Sequence, residues 1–124
     1  MSEGRVVFYG LAIVYLLGVV VQFLLAGLAL FSGGSYDTHR WVGYVLGVIA
    51  VVLLALAIGA KMPRSLTALT TVLVALNTVQ IVLIRVDVDE IKALHVVNAL
   101  AIAFVANMLV HRSRRYVASK MATP

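Results

Sequence analysis

The stretch VVFYGLAIVYLLGVVVQFLLAGLALF, from Val6 to Phe31, contains no charged side chain. The hydrocarbon core of a bilayer is about 30 Å thick, and about 20 consecutive apolar residues cross it as an α-helix. This run is longer than that, and far longer than the apolar region of about 7–15 residues in a cleavable signal peptide. It therefore predicts a retained transmembrane helix.

Three further segments resemble the first. Trp41 to Ala60 and Ser65 to Ile84 carry no charge, and Ala93 to Val110 contains only His95 among its ionisable residues. Glycine, proline and charged residues separate the segments, as is typical of loops. A membrane β-barrel would show alternating polarity over many more segments. We predict an all-α fold in which residues 1–124 form one integral membrane four-helix bundle of up-down-up-down topology. The predicted helices cover residues of about 6–32, 38–60, 65–85 and 91–112.

The composition excludes several classes of protein. Hydrophobic residues make up 63% of the chain, charged residues 12%, and cysteine is absent. A soluble domain of 124 residues exposes too much surface for such a composition. Without cysteine, the chain forms no disulfide, thiolate-bound zinc site or cysteine-ligated iron–sulfur cluster. The net charge of +5 does not indicate nucleic acid, because the basic residues cluster at segment ends. The predicted partner is the lipid bilayer.

Basic residues are divided unequally between the two ends of the predicted bundle. The amino terminus, the second loop and the carboxyl tail share one side, whose basic residues are Arg5, Lys61, Arg64, Arg112, Arg114, Arg115 and Lys120. The opposite side holds four acidic residues and only three basic ones. The positive-inside rule then predicts that both termini are cytoplasmic and that the protein is a multi-pass protein of the inner (cytoplasmic) membrane.

Two histidines lie about one turn inside their helices. His39 opens the second helix and His95 the fourth, both from the predicted outer side, so their depths should agree within a few ångströms. The second and fourth helices of such a bundle lie across a diagonal and can present ligands to both faces of one porphyrin. His39 and His95 are therefore the predicted metal ligands of one haem b near the outer face.

Small residues follow each histidine along the same helix face. Gly43 and Gly47 lie four and eight residues after His39, and Ala99 lies four residues after His95. Residues at this spacing share one face, so a shallow trough should lie beneath each imidazole and admit the edge of a flat macrocycle. The same spacing is also typical of plain packing between transmembrane helices.

Other polar residues are candidates for supporting roles. Arg40 and Arg85 lie at the outer rim, where haem propionates would emerge and pair with them, although ordinary loop arginines would occupy the same positions. Asn98 lies three residues after His95, where it could orient the imidazole or simply join two helices. Further amides that we expect to hydrogen-bond across helices are Gln22, Asn77, Gln80 and Asn107.

Three stretches carry a resemblance: QFLLAGL at 22–28, DTHRWVGY at 37–44 and ALHVVNAL at 93–100. They resemble a family of small four-helix bacterial and archaeal membrane proteins of unassigned function, over nearly the whole chain. More loosely, the chain is similar to transmembrane b-type cytochromes and to half of a haem A synthase. That second likeness implies that His39 and His95 are axial ligands. The chain departs from two-haem cytochromes, because its inner half lacks a second histidine pair.

These features predict a function that is confined to the outer face of the membrane. One outer haem cannot by itself carry an electron across about 30 Å of bilayer. We expect electron transfer near the outer face, with quinone or other membrane redox subunits as partners, or haem storage, delivery or sensing. The alternative is a cofactor-free scaffold or accessory subunit, or a lipid-binding bundle.

Enzymatic and transport functions have little support in the sequence. No nucleophilic or hydrolytic constellation is evident, so whether the protein is an enzyme stays open. No carboxylate lies within an apolar segment, which argues against proton-coupled export. Zinc would need ligands beyond the two histidines. Small surfaces at Gly10, Gly18 and Gly59 leave a homo-oligomer open.

Overall fold

The computed structural model describes residues 3–121, and this part of the chain consists of helices and short connections, without strands. Helix α1 covers Glu3–Ser32, α2 covers Asp37–Gly59, α3 covers Arg64–Arg85 and α4 covers Asp89–Met121. All four helices are long and apolar enough to cross a membrane. The all-α prediction is confirmed, and the four candidate spans indicate a multi-pass membrane protein.

Helix α4 continues to Met121, whereas the sequence predicted an end near residue 112. Ser113 and Val117, one turn apart, are both buried on the same face of this extension. On the same stretch, the ring of Tyr116 lies 5.4 Å from the guanidinium carbon of Arg5 in α1, a cation–π contact. The extension is helical because it packs against the start of α1. In the sequence, the run of basic residues gave no indication of this packing.

The helices form a closed ring in which α1 packs on α2, α2 on α3, α3 on α4 and α4 on α1. Contacts between α1 and α2 run in opposite directions: Gly4 of α1 faces Ala60, which follows the last residue of α2, while Gly18 faces Leu46. These two helices are therefore antiparallel. Within residues 3–121, no contact joins α1 to α3 or α2 to α4 at the level of the backbone, so these pairs lie across the two diagonals.

The core of the bundle fills only one end. In α3 the last buried residue is Leu73, and in α4 the first is Ile102. The buried residues of α2 likewise begin only at Leu46. The end that contains the chain termini and the α2–α3 connection is close-packed. Around the α1–α2 and α3–α4 connections, by contrast, the helices leave space between them.

A hydrogen bond across one diagonal marks the boundary between the packed and the open ends. The Nδ2 group of Asn77 donates to the hydroxyl oxygen of Tyr15 at 2.7 Å and also to the carbonyl of Leu73. Tyr15 is 1% exposed, and its ring belongs to the packed core. A buried hydroxyl needs such a partner, because an unpaired polar group in an apolar interior costs several kcal/mol, about 2–7.

Candidate functional site

Each of the two histidines is held by the helix that precedes its own. The Nδ1 atom of His39 lies 3.2 Å from the carbonyl oxygen of Gln22 in α1. The Nδ1 atom of His95 lies 3.1 Å from the carbonyl oxygen of Gln80 in α3. A carbonyl oxygen only accepts hydrogen bonds, so Nδ1 carries the proton in both rings. The lone pair of Nε2 is then available to a metal, as in metal-binding histidines whose other nitrogen donates to a carbonyl.

The two imidazoles approach each other across the α2–α4 diagonal. Their ring centroids are 6.3 Å apart and the ring planes are inclined by 57°. Two imidazoles that bind one metal ion from opposite sides, each at about 2 Å, have centroids about 6 Å apart. The separation of the His39 and His95 centroids therefore matches that of two imidazoles on one metal ion.

A cavity of about 870 Å³ surrounds the two histidines and is lined by all four helices. This volume lies within the range of about 300–1,000 Å³ that is usual for small-molecule and cofactor sites. Six of the eight predicted cofactor-binding residues line the cavity, namely His39, Arg40, Gly43, Arg85, His95 and Ala99. Gly47 and Asn98 are not among the lining residues.

The mouth of the cavity is basic and its floor is closed by the Tyr15–Asn77 hydrogen bond. Arg40 contacts Asp37 at 3.4 Å, with 62% of the arginine side chain exposed. Arg85 lies 3.4 Å from the hydroxyl of Tyr44. Both contacts are long and solvent-exposed, and exposed ion pairs contribute little, about 0–1 kcal/mol. The two guanidinium groups are therefore free to bind carboxylates of a molecule that occupies the cavity.

Gln80 makes a compact hydrogen-bond cluster around His95. Its side-chain Nε2 donates to the backbone carbonyl of His95 at 3.1 Å, in addition to the bond between its own carbonyl and the imidazole. Asn98 donates to Gln80 Oε1 at 2.5 Å and to the carbonyl of Leu76 at 2.9 Å. Asn98 thus acts behind the cavity wall, where it orients the glutamine that holds His95.

Gln22 occupies the equivalent place beside His39, but its side chain behaves differently. A Cβ atom at Gly43 would lie 2.8 Å from Gln22 Nε2, so the absence of a side chain at Gly43 makes room for this amide. Within the described part of the chain, the buried Gln22 Oε1 has no hydrogen-bond partner. A Cβ atom at Gly47 would meet nothing within 4 Å, so that glycine makes no comparable contact.

Sequence reasoning missed the backbone acceptors of the two imidazoles. Gln22 and Gln80 were expected to bond across helices through their amides, which Gln80 does, but it is the backbone carbonyls of both residues that hold the rings. The only signal was their position, 17 and 15 residues before His39 and His95. Asn107 does not hydrogen-bond across helices in the described structure, because its side chain lies on the exposed face of α4.

Other potential metal ligands do not join the histidines. Among residues 3–121, no group of three or more histidine, aspartate or glutamate side chains is close enough to hold a metal ion. The acidic side chains Asp87 and Asp89 instead contact Lys92 at the surface, at 3.1 and 3.3 Å. Among the described residues, His39 and His95 are thus not joined by a third histidine or acidic side chain.

These features define a four-helix membrane bundle with a histidine-lined cavity at one end. The chain belongs to the family of unknown function DUF6220, whose model matches residues 22–86, more than half of its length. The matched segment begins at Gln22, includes His39 and Gln80, and ends before His95. Membership of a family of unassigned function is thereby confirmed. No curated protein and no solved structure matches the chain, so the likeness to cytochromes and haem A synthase stays a prediction.

Proposed function

We propose that this protein binds one b-type haem between His39 and His95, near the outer face of the inner membrane. The observation that carries the proposal is the pair of imidazoles on diagonal helices, with ring centroids 6.3 Å apart and each Nδ1 bonded to a carbonyl. Nothing in helix packing alone requires two histidines to share a depth, a diagonal and a free Nε2. Ligation of one iron ion accounts for all three features.

The cavity supports the same proposal. Its volume of about 870 Å³ and its contact with all four helices suit a large planar cofactor better than a bare ion. Gly43 and Ala99 keep the cavity open directly below the two histidines. Arg40 and Arg85 at the mouth would pair with propionates, as arginine does with carboxylates. When bound, haem supplies one-electron chemistry and an iron centre that the protein tunes.

The protein's own residues determine how the haem would be used. The packed end of the bundle contains no further histidine among the described residues except the exposed His111. We therefore do not propose a chain of cofactors through the bilayer. We propose electron transfer near the outer face, with a quinone or a redox subunit as partner, or haem storage and delivery. The long packed end then serves as an anchor.

Optical spectra test the proposal directly. Purified in mild detergent and supplied with hemin, the protein should show a sharp Soret band, and dithionite should produce the split α and β bands of a low-spin haem. The expected stoichiometry is one haem per chain. A spectrum that equals that of hemin in empty detergent micelles would reject the haem proposal.

The orientation can be tested because the natural chain contains no cysteine. Ser35→Cys places a thiol in the α1–α2 connection, and Lys120→Cys places one near the end of α4. A membrane-impermeant maleimide should label the Ser35→Cys variant in intact cells and the Lys120→Cys variant only after the membrane is opened, since we propose that both termini are cytoplasmic. The reverse pattern would place the haem site on the cytoplasmic side.

A cofactor-free scaffold or accessory subunit is the second candidate function. It is favoured by the hydrogen bonds themselves, because His39 and His95 already join α1 to α2 and α3 to α4 without a ligand. In that case the histidines stabilise the packing of adjacent helices through their hydrogen bonds, and the cavity holds lipid. The spectra decide between the two functions, since a scaffold would leave the hemin spectrum unchanged.

A further inference from the structure

We infer that the two histidines are unequal ligands: His95 is the permanent one, and His39 yields its place to a small neutral diatomic molecule such as carbon monoxide. This inference rests on the proposed haem. It assigns the site a second binding activity, for a gas-sized ligand on the α2 side of the cavity. The asymmetry is a property of the protein's own hydrogen bonds.

The turn of α4 that carries His95 is joined to α3 by several hydrogen bonds. His95 lies six residues after the start of α4 at Asp89, beyond the first turn, so its backbone is within the regular part of the helix. Its imidazole bonds to the Gln80 carbonyl, and its own carbonyl accepts the Gln80 side chain. Asn98, one turn along α4, bonds to the same glutamine. The ring makes one hydrogen bond to the described residues, as that of His39 does, but displacing this turn of α4 together with its imidazole would break all of these bonds to α3.

Within residues 3–121, the ring of His39 makes a single hydrogen bond, to the carbonyl of Gln22. His39 is the third residue of α2, and the first amide bonded within the helix is that of Arg40, to the carbonyl of Tyr36 at 2.9 Å. The hydroxyl of Ser35 accepts the amide of Asp37 at 3.0 Å, but no described side chain bonds to the amide of His39. The Gln22 side chain bonds neither to His39 nor, through its Oε1 atom, to any described residue. Helix ends of this kind fray most readily.

The chain before His39 can absorb the movement. Residues 33–36 connect α1 to α2, and Gly33 has a φ of +65°, a conformation that favours glycine. Gly34 follows it, and two consecutive glycines give the connection more conformational freedom than other residues would. Tyr36 touches the His39 ring edge-on, with centroids 6.1 Å apart, and is 45% exposed. The first turn of α2 can therefore swing outward with its imidazole while α1 and the rest of α2 stay packed.

Carbon monoxide is the probe that tests the inference. In the haem-loaded protein reduced with dithionite, carbon monoxide should shift the Soret band, and binding should be limited by release of His39. His39→Ala should retain haem and bind carbon monoxide at least about tenfold faster, whereas His95→Ala should lose most of its haem. Haem that is bound but unaffected by carbon monoxide would overturn the inference and leave the proposed function intact. The same holds if His39→Ala is the variant that loses haem.

A substitution in the α1–α2 connection should slow carbon monoxide binding, whereas His39→Ala should speed it. A Cβ atom at Gly34 would make only an ordinary contact, 3.8 Å from the Cα of Ala29, so Gly34→Ala should fold normally. Alanine restricts the connection, and carbon monoxide binding should slow by about two- to fivefold. An unchanged or faster rate would contradict a hinge at this position.

Chemical modification of the haem-free protein gives an independent measurement. Diethyl pyrocarbonate reacts with accessible, unprotonated imidazole nitrogen, and mass spectrometry reports each histidine separately. His39 should react at least about threefold faster than His95, with the exposed His111 as the internal reference. Equal rates, or faster reaction of His95, would show that the two anchors do not differ. If no haem binds in the first experiment, the inference falls together with the proposed function.

Discussion

Replacing His95 by alanine will lower the affinity for haem by at least about 100-fold. Loss of a mere hydrogen-bond partner of a metal ligand typically costs about 10–100-fold, so loss of the better-anchored ligand itself should cost more. The measurement is a titration of detergent-purified protein with hemin, followed at the Soret band and compared with micelles alone. The double variant His39→Ala/His95→Ala should be indistinguishable from empty micelles.

His111→Ala is the matched control for this experiment. His111 is the third histidine of the chain, lies exposed on α4 and does not line the cavity. Its removal should leave both affinity and spectrum unchanged. Thermal unfolding and helical circular dichroism of all variants should show that the bundle persists. If His95→Ala binds haem as tightly as the natural chain, then His95 is not a ligand and the proposed site is wrong.

The fold was largely predictable because a bilayer imposes strict rules on sequence. Long uncharged runs such as Val6 to Phe31 have to be helices, since every backbone group must be hydrogen-bonded internally in lipid. The end of α4 was not predictable in this way. Beyond Arg112 the chain leaves the apolar pattern, yet Ser113 and Val117 are buried and Tyr116 contacts Arg5 of α1. That is a tertiary contact that composition does not reveal.

The sequence allowed us to predict which side chains form the candidate site, but not which backbone groups hold them. Equal depth of His39 and His95 followed from charge distribution and helical rise, and their diagonal placement from bundle connectivity. The carbonyls of Gln22 and Gln80 could not be foreseen, because every residue has a carbonyl and only the helix rotation selects one. The same limit explains Gly47, which shares the stripe of Gly43 in sequence but lies outside the cavity lining.

The two helix hairpins hold their histidines by one common device. In α1–α2 the carbonyl of Gln22 meets His39, and in α3–α4 the carbonyl of Gln80 meets His95. What differs is the glutamine side chain, which bonds to α4 in the second hairpin and leaves its oxygen unpaired in the first. The two imidazoles thus have the same backbone acceptor but different hydrogen bonding around it. We expect this difference in a site with one fixed and one exchangeable ligand.

Filling the cavity from α2 should weaken haem binding without removing a ligand. Gly43→Leu places a branched side chain in the cavity wall one turn from His39, where the Gln22 amide now packs against the glycine. The added Cβ displaces the flexible end of Gln22, 2.8 Å away, but not the carbonyl that holds the imidazole. We expect haem affinity to fall at least about tenfold. Thermal stability should not fall, because leucine favours a helix over glycine by about 1 kcal/mol.

Gly47→Leu provides the comparison on the same helix, four residues further along. A Cβ atom there meets nothing within 4 Å, and the residue does not line the cavity, so haem binding should stay within about twofold of that of the natural chain. Both variants add the same side chain to the same helix, so differences in helix propensity cancel. Equal loss of haem in both would mean that leucine disturbs α2 generally. Equal retention would mean that haem does not occupy the space below His39, which would leave the histidine pair without its proposed cofactor.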